Sequence, residues 1–279
     1  MDRVVVITGG AGGMGVATAE IVGRDHHVVL CDVRRERLDA AVAKLDGIGV
    51  SATGVYGDVT DRSAVDDVFR VAGDALSAVI HAAGVSPSMG DADFVMRTNA
   101  IGTVNVNEAF YATADEGAAI VNVASMAAHL LPEEIIPTTR FSMALTDQDA
   151  FLAEMSAVCA AAPEQARSGL AYAVSKSFVR WYSTAQAERF TARGLRVVSV
   201  SPGSVDTEMG RLEEQAGAGT MVTDAAVPRW GRPEEMAELF AFCASPKAGY
   251  LTGTDILNDG GVVASMRERA RVAAQTPQS

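Results

Sequence analysis

Short apolar runs recur along the chain, separated by stretches with helical spacing. "RVVVIT" (3–8), "HVVLCD" (27–32), "VSATGVY" (50–56), "LSAVIHAA" (76–83), "AAIVNVAS" (118–125), "LRVVSVS" (195–201) and "TDILN" (254–258) are β-branched and nearly continuous. Strands covered on both faces have this character, because neither side turns to water. Segments around 13–24, 34–46, 61–73, 91–115, 172–193 and 233–244 carry apolar residues at helical intervals. "DRSAVDDVF" opens on an acidic residue and a serine, a helix-start signal. The alternation predicts an α/β chain with a doubly wound parallel sheet of about seven strands. With no internal repeat and no dividing linker, residues 1–279 read as a single domain.

One region breaks the rhythm. Residues 126–169, "MAAHLLPEEIIPTTRFSMALTDQDAFLAEMSAVCAAAPEQARSG", are too long for an ordinary connection. Pro132 and Pro137 punctuate the first part, and "TDQD" (146–149) resembles a capping box. Phe151, Leu152, Met155, Val158 and Cys159 then recur on one helical face, and Pro163 ends it. The expectation is a helical insertion after the fifth strand, with an apolar face to bury.

Composition narrows the partners. The formal net charge is −12, which argues against nucleic acid or an anionic membrane, since both need clustered Lys and Arg. No apolar stretch approaches the roughly 18 residues of a membrane span. The start, "MDRVVVITGG", lacks the pattern of a signal peptide. Cys31, Cys159 and Cys243 show no metal-type spacing and read as reduced, mostly buried thiols. A cytoplasmic protein without a bound metal is expected.

"TGGAGGMG" (8–15) follows the first strand and opens the first helix. Gly10-x-Gly12-x-x-Gly15 matches the dinucleotide fingerprint of a Rossmann-type fold, and Gly9, Gly13 and Gly15 fit it in another register. Glycines let the turn take positive φ and let a pyrophosphate approach bare backbone at a helix N-terminus. Asp32, at the end of the second strand, suits the ribose hydroxyls of NAD and would repel the 2′-phosphate of NADP. Arg34 and Arg35 read as a solvated helix start, although an arginine there can also accept that phosphate. Asp58 in "GDVT" either bonds the adenine or caps the next helix.

"LAYAVSK" (170–176) places Tyr172 and Lys176 on one helical face. An ammonium beside a phenol lowers the phenol pKa from about 10 and lets it trade protons near neutrality. A serine hydroxyl can bond a substrate oxygen whose charge is changing. The nearest such serine, Ser125, lies 47 positions upstream, across the insertion.

With these residues in hand, the sequence resembles the short-chain dehydrogenase/reductase family over nearly its whole length. The resemblance rests on "TGGAGGMG", "GDVT", "HAAG" (81–84), "RTNAIG" (97–102), "VNVAS" (121–125), "YAVSK" (172–176) and "SPGSVDT" (201–207), in family order. It implies that Tyr172 is the acid/base and that Ser125 polarises the substrate oxygen. Lys176 would hold the ribose and lower the tyrosine pKa, and Asn99 would support a proton-relay water. It further implies dinucleotide contacts by Gly9, Gly13, Met14, Gly15, Asp32, Val33, Asp58, Val59, Ala83 and Gly84. Tyr172, Lys176, Pro202, Gly203, Val205 and Thr207 complete that set. The chain departs from the family at Ala82, where an asparagine is usual, and His81 reads as a packed strand-end histidine. Within the family, the insertion, "LAYAVSK", residues 231–261 and a short tail look like bacterial 3α-hydroxysteroid dehydrogenase/carbonyl reductases.

The segment 204–230 reads as a lid, with Met209, Leu212, Met221, Val222, Val227 and Trp230 as its apolar members. "HLLPEEII" and "TTRFSMAL" of the insertion are candidates for another pocket wall. The expected reaction is NAD-dependent interconversion of a hydrophobic, steroid-like or terpenoid-like alcohol and its ketone. A nucleotide-sensing regulator would not need Ser125, Tyr172, Lys176 and Asn99 together. A nucleotide-sugar epimerase or dehydratase would call for a C-terminal substrate domain that is not obvious here. A homo-oligomer, dimer or tetramer, is expected. Family members often pair through the helix carrying Tyr172, and the insertion stands ready to block or rebuild that contact.

Overall fold

A computed structural model describes residues 3–218 and 220–275. Gly219 of the expected lid, and the terminal residues 1–2 and 276–279, lie outside them. The first half runs β1 (Val4–Thr8), α1 (Gly13–Val22), β2 (His27–Asp32), α2 (Arg35–Gly47), β3 (Ala52–Tyr56) and α3 (Arg62–Ala72). β4 (Leu76–His81) leads through α4 (Ala92–Met96) and α5 (Gly102–Thr113) into β5 (Ala119–Val123). α6 (Gln148–Ala160), α7 (Arg167–Ala185) and α8 (Ala187–Thr191) follow. β6 (Arg196–Pro202), α9 (Glu208–Glu213), α10 (Thr220–Asp224), α11 (Pro233–Ala244), β7 (Asp255–Asn258) and α12 (Val262–Gln275) complete the chain.

The strands form one parallel sheet in the order β3-β2-β1-β4-β5-β6-β7. The expected doubly wound sheet is borne out, and its crevice opens at the carboxyl ends of β1 and β4, where the winding reverses. Alternation along β1 explains the layers. Val4 and Val6 join a core with Val65, Phe69, Phe110 and Phe190, from α3, α5 and α8. Val5 and Ile7 join the opposite core with Ala19, Leu38, Met236 and Phe240, from α1, α2 and α11. A strand apolar at every position is what both layers require.

The insertion folds as helical turns and α6, and it builds a third core. Phe141, Phe151, Leu152, Met155 and Cys159 pack on Val95 and Met96 of α4 and on Val174 and Phe178 of α7. The rings of Phe141 and Phe151 stand 5.4 and 5.2 Å from that of Phe178. The α6 cap is Asp147, which accepts the Ala150 N–H at 2.9 Å. The insertion thus covers one face of α7, the helix that the family resemblance assigns to pairing.

Several boundaries move. The expected helix 91–115 is interrupted at Arg97–Ile101 by a wider, π-type turn that holds Asn99. Tyr172 does not open its helix, because α7 begins at Arg167 and places it in the second turn. Asp61, not Asp58, caps α3 through the Ser63 N–H. The tail forms α12, whose run of Ala, Arg, Glu and Met has high helix propensity.

His81 ends β4 inside a hydrogen-bond chain. Thr8 Oγ1 accepts the Ala83 N–H at 3.3 Å, so its own proton points to His81 Nδ1 at 2.8 Å. His81 Nε2–H then donates to Thr103 Oγ1 at 3.1 Å, and Thr103 donates to the Asn99 carbonyl at 2.7 Å. This tautomer follows from satisfying every partner. The histidine ties β1 to the Asn99 turn, beside the family asparagine position that Ala82 fills. Burial, with Lys176 adding to it, pushes its pKa down to about 3, so the ring is neutral.

Two outcomes are expected. Phe151→Ala should cost about 3–5 kcal/mol in denaturant unfolding, the range for a fully buried ring, and a loss under 1 kcal/mol would contradict the third core. His81 makes stability depend on pH, because between its unfolded value of 6.5 and about 3 only the unfolded chain binds the proton. Stability therefore falls as pH drops through that window, by about 3 kcal/mol from His81 alone at pH 4. Melts of the wild type and His81→Asn at pH 7 and 4 should differ by about that amount. Identical pH profiles would speak against a neutral buried ring.

Candidate active site

The glycine turn between β1 and α1 forms a cradle. Gly9 has φ of +65°, and a Cβ there would meet the backbone of Ala82 and Ala83 at 2.8 Å. A Cβ on Gly13 would sit 2.9 Å from Thr207 Cγ2, and one on Gly15 would strike the Gly9 carbonyl. The N-cap of α1 is Gly12, with no side-chain cap and no acid in the first turn. The first amides of α1 are therefore left for an outside anion. A cavity of about 660 Å³ lies over them, lined by Gly9, Gly13, Met14 and Gly15 and, farther along, by Arg34 and Arg37. These features fit a dinucleotide.

The outer dinucleotide positions are placed less simply. Asp32 is buried, and its carboxylate accepts the N–H groups of Ala11 and Arg34, each at 3.1 Å. Neither Asp32 nor its half-exposed neighbour Val33 lines the cavity. Asp58 is exposed and bonds the Thr60 N–H at 2.8 Å. Val59 is buried, with its carbonyl held by Asn105 Nδ2 at 3.0 Å. Ala83 is tied to Thr8 and lines neither this cavity nor the next.

The proton-transfer candidates converge from separate elements. Ser125 lies just past β5, and its Oγ accepts the Ala127 N–H at 3.2 Å. Tyr172 faces it from α7, and the serine hydroxyl bonds the phenol so as to favour the ionised form. Lys176 lies one turn on, 6% exposed, and donates to the Val123 carbonyl at 2.9 Å. Its Nζ is 5.9 Å from the centre of the Tyr172 ring. Asn99 has both amide protons engaged: Oδ1 accepts the Val85 N–H at 2.9 Å, and Nδ2 donates to the Val85 carbonyl at 3.0 Å and to Ser175 Oγ at 3.1 Å. Gly84 has to be small, since a Cβ would come 3.0 Å from Asn99 Oδ1 and 3.3 Å from Lys176 Nζ.

One electrostatic expectation is corrected. Burial raises the Tyr172 pKa, the Ser125 bond opposes this, and the Glu213 charge adds to it. Lys176 does not bring the phenol below its ordinary value here, because burial outweighs the favourable contacts. Burial instead lowers the lysine's own pKa to about 8.

Ser125, Tyr172 and Lys176 line a second cavity of about 250 Å³, and Met14 borders both cavities. Its other walls include Val85, Pro87 and Met126, Pro202 at the end of β6, and Gly203, Val205 and Thr207 beyond it. From the lid come Met209, Met221 and Trp230. Leu212 faces the dinucleotide cavity instead, Val222 borders a neighbouring hollow, and Val227 is half exposed. Of "HLLPEEII" and "TTRFSMAL", only Leu130 reaches this pocket, and Phe141 and Ala144 are consumed in the third core. Among the lining residues that the sequence reading did not single out are Ser86 and, inside the expected lid, Glu213. Neither stands in a recognisable motif, and only the folded loops bring them here. Among the described residues, no cluster could hold a metal ion, and no helix is long and apolar enough to cross a membrane.

Comparison with known proteins identifies the family. Residues 3–136 match the family model described as short chain dehydrogenase, and 136–263 match that described as Enoyl-(Acyl carrier protein) reductase. The chain is 29% identical over 272 residues to a short-chain dehydrogenase/reductase of Alternaria brassicicola, covering 95% of this chain and 97% of that one. It is 27% identical to the 3-alpha-hydroxysteroid dehydrogenase/carbonyl reductase of Comamonas testosteroni, covering 95% and 98%. It is 26% identical to a 3-oxoacyl-[acyl-carrier-protein] reductase of Thermotoga maritima, covering 94% and 98%. The fold matches a short-chain dehydrogenase/reductase structure from Serratia marcescens with a TM-score of 0.74 at 23% identity, over 94% and 98% of the chains. The chain belongs to the short-chain dehydrogenase/reductase family, the NAD(P)-dependent oxidoreductases that act on CH–OH groups.

Proposed function

We propose that this enzyme interconverts a hydrophobic secondary alcohol and its ketone, using NAD in preference to NADP. The observation that carries the reading is the meeting of Ser125, Tyr172 and Lys176 in one largely apolar pocket that borders the glycine cradle at Met14. When bound, the dinucleotide supplies or takes the hydride. Gly9, Gly13, Met14 and Gly15 would hold its pyrophosphate, and Pro202, Gly203, Val205 and Thr207 its nicotinamide end.

In ketone reduction, the substrate oxygen sits between Ser125 Oγ and the Tyr172 hydroxyl. As the carbonyl carbon is reduced, Tyr172 gives its proton to that oxygen, and Ser125 bonds the developing charge. The raised phenol pKa keeps the proton in place at neutral pH, which suits the reductive direction. Lys176 and Asn99 position the tyrosine helix and the route by which the proton is restored. Val85, Pro87, Met126, Leu130, Met209 and Trp230 give the pocket its preference for an apolar carbon frame. The 3-alpha-hydroxysteroid dehydrogenase/carbonyl reductase relative is consistent with such a substrate.

The preference for NAD rests on charge. Asp32 sets a carboxylate at the end of β2, and the cations that line the groove, Arg34, Arg37 and Lys44, each stand near a carboxylate, while Arg35 lies over the Tyr56 ring. Arg37 pairs with Glu208, Lys44 with Glu20 at 2.6 Å, and Arg34 stands 3.9 Å from Asp32. A 2′-phosphate would find no unpaired partner among them. Assembly into a dimer or tetramer is part of the same reading, through a surface other than the insertion-covered face of α7. A monomeric mass by light scattering would contradict it.

A turnover screen of apolar ketones with NADH and NADPH tests the reaction. Tyr172→Phe should lower kcat by about 10²–10⁴-fold, and retained full activity would refute the mechanism. NADH should exceed NADPH by at least about tenfold in kcat/KM, and the reverse order would refute the role of Asp32.

A further inference from the structure

The substrate pocket is apolar on most walls, yet among the polar groups that the reaction does not use are Ser86 and Glu213. Ser86, in the loop after β4, is 1% exposed, and its Oγ has no hydrogen-bond partner among the described residues. A buried hydroxyl without a partner forfeits its hydration, so its persistence in a binding pocket points to a ligand that supplies the bond. Ser86 lines the cavity that also contains Ser125 and Tyr172.

The second group is Glu213, at the end of α9. Its acidic neighbours in the lid are neutralised: Asp206 and Glu214 pair with Arg211 at 2.8 and 3.0 Å, and Glu208 pairs with Arg37. Glu213 has no ion-pair partner among the described residues. Its Oε1 accepts the Ser88 N–H at 3.1 Å, which draws α9 onto the loop that carries Ser86. Its other oxygen has no hydrogen-bond partner among the described residues. The pocket thus offers an orphan hydroxyl and a carboxylate with acceptor capacity to spare, on two segments that touch.

We propose that Ser86 and Glu213 form a specificity subsite for a hydroxyl group carried by the substrate in addition to its reacting carbonyl. That hydroxyl donates to the Glu213 carboxylate and accepts from Ser86 Oγ–H, and the hydride and proton transfers at the carbonyl are unchanged. The substrate is then a hydroxylated apolar ketone. An anionic carbonyl compound is disfavoured, because its charge would meet Glu213. This inference rests on the ketone–alcohol reading above.

The test compares kcat/KM for 2-decalone with that for a set of its monohydroxylated derivatives, with NADH, in the wild type, Ser86→Ala, Glu213→Gln and Glu213→Leu. The wild type should prefer at least one hydroxylated ketone by about tenfold or more, as sites built to bond a hydroxyl do. That ratio should fall towards unity in Ser86→Ala and Glu213→Leu, and Glu213→Gln, which keeps an acceptor, should retain part of it. Thermal melts of the four proteins separate loss of the subsite from loss of the fold. Equal rates for plain and hydroxylated ketones in the wild type would overturn the subsite alone, as would a ratio that no variant moves. No turnover of any ketone by protein that still binds NADH would overturn the reaction assignment and the subsite with it.

Discussion

The ammonium of Lys176 is carried into the interior and given to the carbonyl of Val123, the last residue of β5. Burying a cation is costly unless it is bonded, so this contact fixes where α7 sits against the sheet. Two further buried bonds run along the same helix. Ser175 accepts from Asn99 at 3.1 Å, and Ser183 accepts from Asn122 at 3.1 Å. Asn122 also exchanges bonds with Asn107 of α5 at 2.8 and 3.0 Å. Together they lock α7, β5 and α5 into one register. Tyr172, one turn before Lys176, has to face the exit of β5, which is where Ser125 stands.

This register explains why the long gap between serine and tyrosine does no harm. The chain between them leaves the end of β5, builds its own core on α4 and α7, and returns to begin α7 at Arg167. Its apolar residues are spent on Phe178 and its neighbours, not on the substrate, and only Met126, Ala127 and Leu130 near its start reach the pocket. The insertion stabilises the outer side of the tyrosine helix and leaves the inner side to the reaction.

Much of this was legible in the sequence, for identifiable reasons. Strands buried on both faces print as continuous β-branched runs, so the sheet and its order of elements could be read directly. The glycines of the cradle and the Tyr172–Lys176 spacing report backbone constraints that few other residue types satisfy. What stayed hidden depends on contacts between distant segments. The turn at Asn99 is held by Thr103 and Val85, and His81 takes its neutral state from Thr8 and Thr103. No local pattern announces those partners. The raised Tyr172 pKa has the same origin: spacing puts Lys176 beside the phenol, but the burial that raises the phenol and lowers the lysine is set by the packing of distant segments.

The central claim is that one substrate oxygen is held jointly by Ser125 and Tyr172, with the dinucleotide in the glycine cradle. A crystal structure of the ternary complex with NAD and an unreactive apolar ketone analogue tests it most directly. The account predicts the analogue oxygen at about 2.6–3.2 Å from both Ser125 Oγ and the Tyr172 hydroxyl, with the pyrophosphate against the first turn of α1. An oxygen bound away from both hydroxyls, or a dinucleotide seated elsewhere than the cradle, would contradict it.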